Sequence, residues 1–236
     1  MLRHDSLEER IRALGIGAPV TIRVSPKARR LSLRVDAAKR GVELVLPRRF
    51  SAETALGFVS SHRGWIAARI AAMPPPRPLG EGASVPVFGV PHRICCETDS
   101  RAPTVTIADG EIRVRGHPTH LPRRVRDHLT ALAKRDFAAR ARATAARIGK
   151  SVARVGVRDP KSRWGSCSSK GALSFSWRLV FAPEAVIDYV VAHEVAHLVE
   201  MNHGPRFWRL VASLVPDVDK SRAWLKRHRL ELLAYA

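Results

Sequence analysis

The sequence predicts an α+β protein: a basic, strand-rich N-terminal part, then a helical part organised around one apolar helix that carries an HExxH motif. Three observations point there. Up to Val114 apolar and polar residues alternate with a period of two, the mark of half-buried strands. From Thr119 onward the apolar residues recur every three or four positions, the mark of amphipathic helices. Hydrophobic residues make up 45% of the 236, enough for a core and too many for a disordered chain. The change of period predicts two regions, a strand-rich one with a single helix over 1–116 and a second over 117–236.

The elements follow in order. Thr21–Val24, Leu31–Val35 and Val42–Leu46 alternate cleanly, with basic turns at Lys27–Arg30 and Lys39–Gly41. Ser51 is a good N-cap for a helix running to about Ala72, with Phe58, Trp65, Ile66 and Ile70 on its buried side. The proline run from Met73 to Pro78 is a stiff connector and a candidate boundary. Short strands return at Val85–Phe88, His92–Cys96, Thr104–Ile107 and Ile112–Val114, the last two joined by the hairpin signal Asp109-Gly110. Thr119–Ile148 reads as a long helix rich in Arg and Ala. Strands are expected at Val152–Val157 and Ala172–Phe175, separated by a loop through Lys161–Cys167. Pro183 suits a helix start, and that helix should run to about Met201. Pro205–Leu214 and Asp219–Leu233 complete the set.

Charge is lopsided, with 41 Lys and Arg against 21 Asp and Glu, a net of +20. Such a surface attracts polyanions, so weak, sequence-independent binding to nucleic acid through the Arg-rich helix and the early strands is one expectation; a merely solvated basic face is the other. No zinc finger, RRM, KH or helix-turn-helix signature supports sequence readout. The N-terminal residues lack the apolar run of a signal peptide. No apolar stretch of about 20 residues is present to span a bilayer. The three cysteines, Cys95, Cys96 and Cys167, form no disulfide framework and no CxxC pair, which fits a reducing cytoplasm and argues against a cysteine zinc site.

The decisive segment is His193-Glu194-Val195-Ala196-His197. Residues four apart lie on one face of a helix, so His193 and His197 can both reach one zinc ion, and Glu194 can address the open side of that metal as a general base for water. A chance match to this pattern occurs in roughly one chain per hundred of this length. Two features reduce the chance reading further. His203 follows six residues after His197, where the chain can fold back to offer a third ligand. Leu179–Pro205 contains no Lys or Arg, the cation-free surroundings a divalent ion requires. Glu200 is the alternative third ligand.

The runs Arg163-Trp164-Gly165-Ser166-Cys167, Tyr189–Leu198, Asn202-His203-Gly204 and Phe207-Trp208 resemble the YgjP-like metallopeptidase family, which is related to the SprT-like and WLM zinc proteases. The likeness is strongest from Lys161 to Leu225 and extends to the basic strands and the Trp65 helix. It implies a zincin-like catalytic domain over 117–236, three histidine ligands and a glutamate base, without naming a substrate. Metzincins carry Gly where Glu200 stands, so their geometry is not implied.

Around this core, Arg163 and Tyr189 are candidates to stabilise an oxyanion, and Trp164 to wall the pocket. Asp188 and Glu200 are candidates to orient a ligand imidazole; Cys167, Phe207, Trp208 and Trp224 read as packing residues. The leading function is peptide-bond hydrolysis on a protein or peptide substrate, with Ala172–Phe175 as an edge strand for an extended chain. The alternatives are a metal-dependent nucleotide phosphoanhydride hydrolase, which Arg163 would suit, and a protease held near nucleic acid by its basic surface.

Overall fold

The computed structural model describes residues 4–36, 40–98 and 104–235. The chain forms two compact units, Met1–Pro76 and Arg77–Ala236, and each has its own core.

The first unit contains α1 (His4–Ala13), β1 (Val20–Val24), β2 (Ser32–Asp36), β3 (Gly41–Leu46), α2 (Ala52–Ser61) and α3 (Arg63–Ala71). The three strands lie within a residue of their expected limits, and of the two expected turns only Lys39 falls outside the described residues. Their order is β1-β3-β2, with β3 parallel to β1 and antiparallel to β2. The central position of β3 matches its composition: Val42, Leu44 and Leu46 are buried in one cluster with Leu7, Ile11, Ala55, Val59 and Ile66. Helix α1 was not expected, although Leu7 and Ile11 are four apart, the spacing of one helical face.

The single helix expected from Ser51 to Ala72 breaks at His62, where φ is −102° and ψ 11°. Ser61 Oγ donates to the Phe58 carbonyl at 2.9 Å, and His62 Nδ1 lies 2.7 Å from the same oxygen. These side chains compete with the backbone for the carbonyl that would continue the helix. Ser51 is the N-cap, accepting from the Thr54 amide. Ile66 is buried as expected, whereas Trp65 is exposed.

The second unit holds β4 (Ser84–Val87), β5 (Val90–Glu97), β6 (Val105–Ala108) and β7 (Glu111–Arg115) in a sheet of order β4-β5-β7-β6. Asp109 and Gly110 both have positive φ, 52° and 73°, as a two-residue type I′ hairpin requires. A second sheet, β8 (Arg154–Arg158), β9 (Gly165–Cys167) and β10 (Ala172–Ser176), has the order β8-β10-β9. Ala172–Phe175 is therefore the middle of this sheet. The edge strands are β8 and β9, the latter too short and too Ser- and Gly-rich to be read from its sequence.

Helix α4 (Leu121–Ala146) is the spine of this unit. Its buried residues, Leu121, Val125, Leu129, Ala133, Phe137, Ala141 and Ala145, are spaced strictly by four. At about 100° per residue each step of four overshoots a full turn by roughly 40°, so the stripe winds around the helix. The helix meets β6 and β7 and also β8 and α5 (Glu184–Ala196). Ile94, Ile112 and Val114 consequently share one core with Phe137, Phe175 and the residues of α5. The expected division after residue 116 does not coincide with the observed one: the shared core joins β4–β7 to the helical part, and the units part at the proline run instead.

Four arginines of the Arg-rich segment that forms α4 are committed to partners. Arg140 binds Asp136 and Asp188, Arg147 the Leu214 carbonyl, Arg124 the Arg115 carbonyl and Arg123 Asp127. Helix α5 is apolar on nearly every side and buried from Val186 to Ala196, except at Asp188 and His193, as a helix without a polar face must be. Helices α6 (Pro205–Leu214) and α7 (Val218–Ala234) close the unit. Its ends meet: the Arg77 amide donates to the Ala234 carbonyl at 2.8 Å, and Arg77 bridges to Tyr235. No helix among the described residues is long and apolar enough to cross a membrane.

Candidate metal centre and active site

Helix α5 delivers His193 and Glu194 from its last turn and His197 at its C-cap. The helix ends at Ala196, five residues before the expected limit. The Leu198 and Val199 amides bond three residues back, to Val195 and Ala196, which tightens the end and turns the chain. His197 Nδ1 lies 3.0 Å from the Glu200 carbonyl. A carbonyl only accepts, so Nδ1 carries the proton and Nε2 keeps its lone pair.

The turn brings His203 back over the helix end. His203 Nε2 lies 3.1 Å from His193 Nε2, and ligand nitrogens of His193, His197 and His203 lie within 4.8 Å of one another. Beneath them sits Phe207 from α6, fully buried, with its ring centroid 4.9, 4.6 and 4.7 Å from those of His193, His197 and His203. The sequence marks Phe207 only as a core residue. Its position four after His203, in the first turns of the next helix, is the signal that it supports the imidazoles.

The donor set fits a zinc ion. Burial first, and then the neighbouring His197 and His203, push His193 down to about 4; burial also lowers His197. Both are neutral at pH 7, with lone pairs to donate. Two nitrogens bound to one tetrahedral zinc at about 2.0–2.1 Å are separated by about 3.3–3.4 Å, close to the 3.1 Å found between His193 and His203. Three imidazoles with an open fourth direction suit a catalytic zinc site better than a closed structural one. Glu200 is not in this cluster; it contributes its carbonyl to His197. Asp188 does not reach the imidazoles either. It stands five residues before His193, roughly 140° around the helix, and pairs with Arg140 at 2.7 Å.

Beside the histidines lies a cavity of about 220 Å³, lined by Arg163, Trp164, Gly165, Tyr189, His193 and Glu194 among others. Glu194 is 6% exposed, and burial pushes its carboxyl up to about 7 against the opposing pull of Arg163. Gly165 on β9 faces it directly: a Cβ there would lie 2.5 Å from Glu194 Cγ and Oε1. Tyr189 is buried one turn before His193, its ring 6.0 Å from the imidazole. Burial raises its phenol above the ordinary value, so it stays protonated. Arg163 is exposed at the rim.

An α+β unit with three convergent histidines and an acid held near neutrality defines the class: a protein whose side chains could hold a metal ion beside a buried carboxylic acid. The family model "YgjP-like, metallopeptidase domain" matches residues 29–228. The chain belongs to the YgjP-like metallopeptidase family. Among solved structures, the metallopeptidase zymogen of Pyrococcus abyssi abylysin is similar at 24% identity over 42% of this chain and 93% of that one, with a TM-score of 0.34. No curated protein is similar enough to be matched to the chain.

Proposed function

We propose that the chain is a zinc-dependent peptidase in which His193, His197 and His203 hold the metal and Glu194 is the general base. The observation that carries this reading is Glu194 itself: a carboxyl raised to about 7 by burial, in one cavity with His193. A base poised near the working pH takes and returns protons most effectively. Zinc, when bound, supplies a Lewis acid that draws charge from a carbonyl oxygen and acidifies water. Glu194 takes a proton from the attacking water and later passes it to the nitrogen of the breaking C–N bond. Tyr189, protonated and buried, donates to the oxygen on which negative charge develops, with Arg163 adding charge from the rim. The small cavity and the apolar surroundings limit the water that would compete for these groups.

The free edge of β9 supports a peptide substrate. The Ser168 amide bonds the Ala172 carbonyl and the Ser176 amide the Trp164 carbonyl. Even-numbered residues of this strand thus face β10, and the backbone groups of Gly165 and Cys167 face outward, where an extended chain can add as a further strand. Free Cys95, Cys96 and Cys167 support a reducing, cytoplasmic setting.

The test is metal analysis of protein purified without chelators, together with hydrolysis of unfolded proteins, peptides and nucleoside triphosphates. About one zinc per chain and Glu194-dependent peptide cleavage are expected. The second reading, nucleotide hydrolysis, is favoured by Arg163 in the cavity and would show as triphosphate cleavage alone.

A further inference from the structure

A second and larger concavity, a groove of about 710 Å³, runs along the β8-β10-β9 sheet. Small residues in register across the three strands line it: Ser174 pairs with Gly156 on one side and Ser166 on the other. Lys134 of α4, Arg154 and Arg158 at the two ends of β8, and Arg163 also line it, and no Asp or Glu does. All four cations are exposed. Lys134, Arg154 and Arg158 make no ion pair among the described residues, in contrast with Arg140, Arg147 and Arg178, whose charges are tied to internal partners. Uncompensated cations around a concave floor focus positive potential into it.

Arg163 lines both this groove and the cavity of Glu194, and β9 contributes Ser166 and Cys167 to the groove and Gly165 to the cavity. We propose that the groove receives an acidic stretch of a polypeptide substrate, whose neighbouring residues pair with the free edge of β9 and enter the site. This rests on the peptidase reading. Lys134, Arg154 and Arg158 are then specificity-determining residues for Asp- and Glu-rich sequences. The lining contains no aromatic or histidine side chain on which bases could stack, and a strand edge offers the amide pairing that a polypeptide matches and a sugar-phosphate chain does not.

The test uses the full-length, zinc-loaded chain carrying Glu194→Gln, so that binding is read without turnover. Fluorescent ten-residue peptides of acidic, neutral and basic composition are compared with single-stranded DNA and RNA of equal charge. The acidic peptide should bind at least about tenfold more tightly than the neutral one, with the advantage shrinking as salt rises. Lys134→Glu with Arg154→Glu and Arg158→Glu should erase the preference, whereas Arg126→Glu with Lys226→Glu and Arg227→Glu, an equal change of net charge elsewhere, should leave it. Equal loss in both triple variants, no preference in the parent, or tighter binding of the oligonucleotide overturns the proposal. Failure of the peptidase reading is seen separately, as absence of peptide cleavage by the wild-type chain while acidic peptides still bind the groove.

Discussion

Gly165 and Glu194 are in contact in a way that admits no side chain at the first: the Cβ of any other residue at 165 would lie 2.5 Å from Cγ and Oε1 of the carboxylate. The edge strand therefore lies directly against the proposed base. Gly165→Ala should displace Glu194 or β9, and kcat for peptide cleavage should fall on the order of a hundredfold, as expected for losing an aligned base. Zinc content should stay near one per chain, because no ligand is touched. Unchanged kcat in a folded Gly165→Ala protein contradicts the placement.

Glu194→Gln keeps the shape of the side chain and removes its basicity. Activity should drop by about 10²–10⁴-fold, with metal content and melting temperature in the holo form little changed. His203→Ala should instead lower zinc affinity. A mutant of Glu194 that loses zinc as His203→Ala does would assign the glutamate to ligation.

Arg163→Ala separates the two enzyme readings. In a peptidase the guanidinium is one helper at the rim, and its loss should cost about tenfold. In a nucleotide hydrolase it would offset phosphate charge, and the loss should approach that of Glu194→Gln. Parallel kinetics of both variants on peptides and on triphosphates decide between them.

The metal-free protein should show an unusual pH profile of stability. Glu194 moves from 4.5 to about 7 on folding, so between these values the unfolded chain has ionised while the folded one holds its proton, and stability falls as pH rises. His193 moves from 6.5 to about 4, so between pH 4 and 6.5 the unfolded chain holds a proton that the folded one lacks, and stability rises with pH. The two slopes oppose from about pH 4.5 to 6.5. Glu194→Gln removes the falling one and should make stability climb more steeply through that window than in the parent. Urea unfolding in excess chelator measures both; identical slopes would rule out a buried, protonated Glu194.

Arg140 ties α4 to the site helix by bonds of 2.7 Å to both Asp136 and Asp188. Its removal leaves two carboxylates facing each other without a cation. Arg140→Ala should lower unfolding free energy by about 2 kcal/mol, while the KM of the holoenzyme changes little.

The legible parts of the fold were those governed by local periodicity. The alternation in Val42–Leu46 and the Asp109-Gly110 turn carried their structures with them, and the four-residue step between His193 and His197 placed two imidazoles together. Less legible was whatever depended on distant contacts. The strand β9 is three residues long and exists because β10 pairs with it; nothing in Gly165-Ser166-Cys167 alone announces an edge beside Glu194. The period changes at Thr119, yet Val114 and Phe137 share a core, a contact that no local pattern announces. Asp188 and Glu200 both looked able to orient an imidazole. Helical phase sent the first to Arg140, and the tightened helix end gave His197 the carbonyl of the second in place of its side chain.

The bridge between Arg77 and Tyr235 has a further meaning. A segment whose first and last residues are hydrogen-bonded neighbours is topologically a closed loop, and such segments tolerate being excised, circularly permuted or spliced into another polypeptide. Joining Tyr235 to Arg77 through a short linker and opening the chain between Lys150 and Ser151, both exposed in the link after α4, should give a permutant that retains the three histidines of the candidate metal site. The second unit is in this sense a portable cassette, whose ends carry none of the residues of the candidate site.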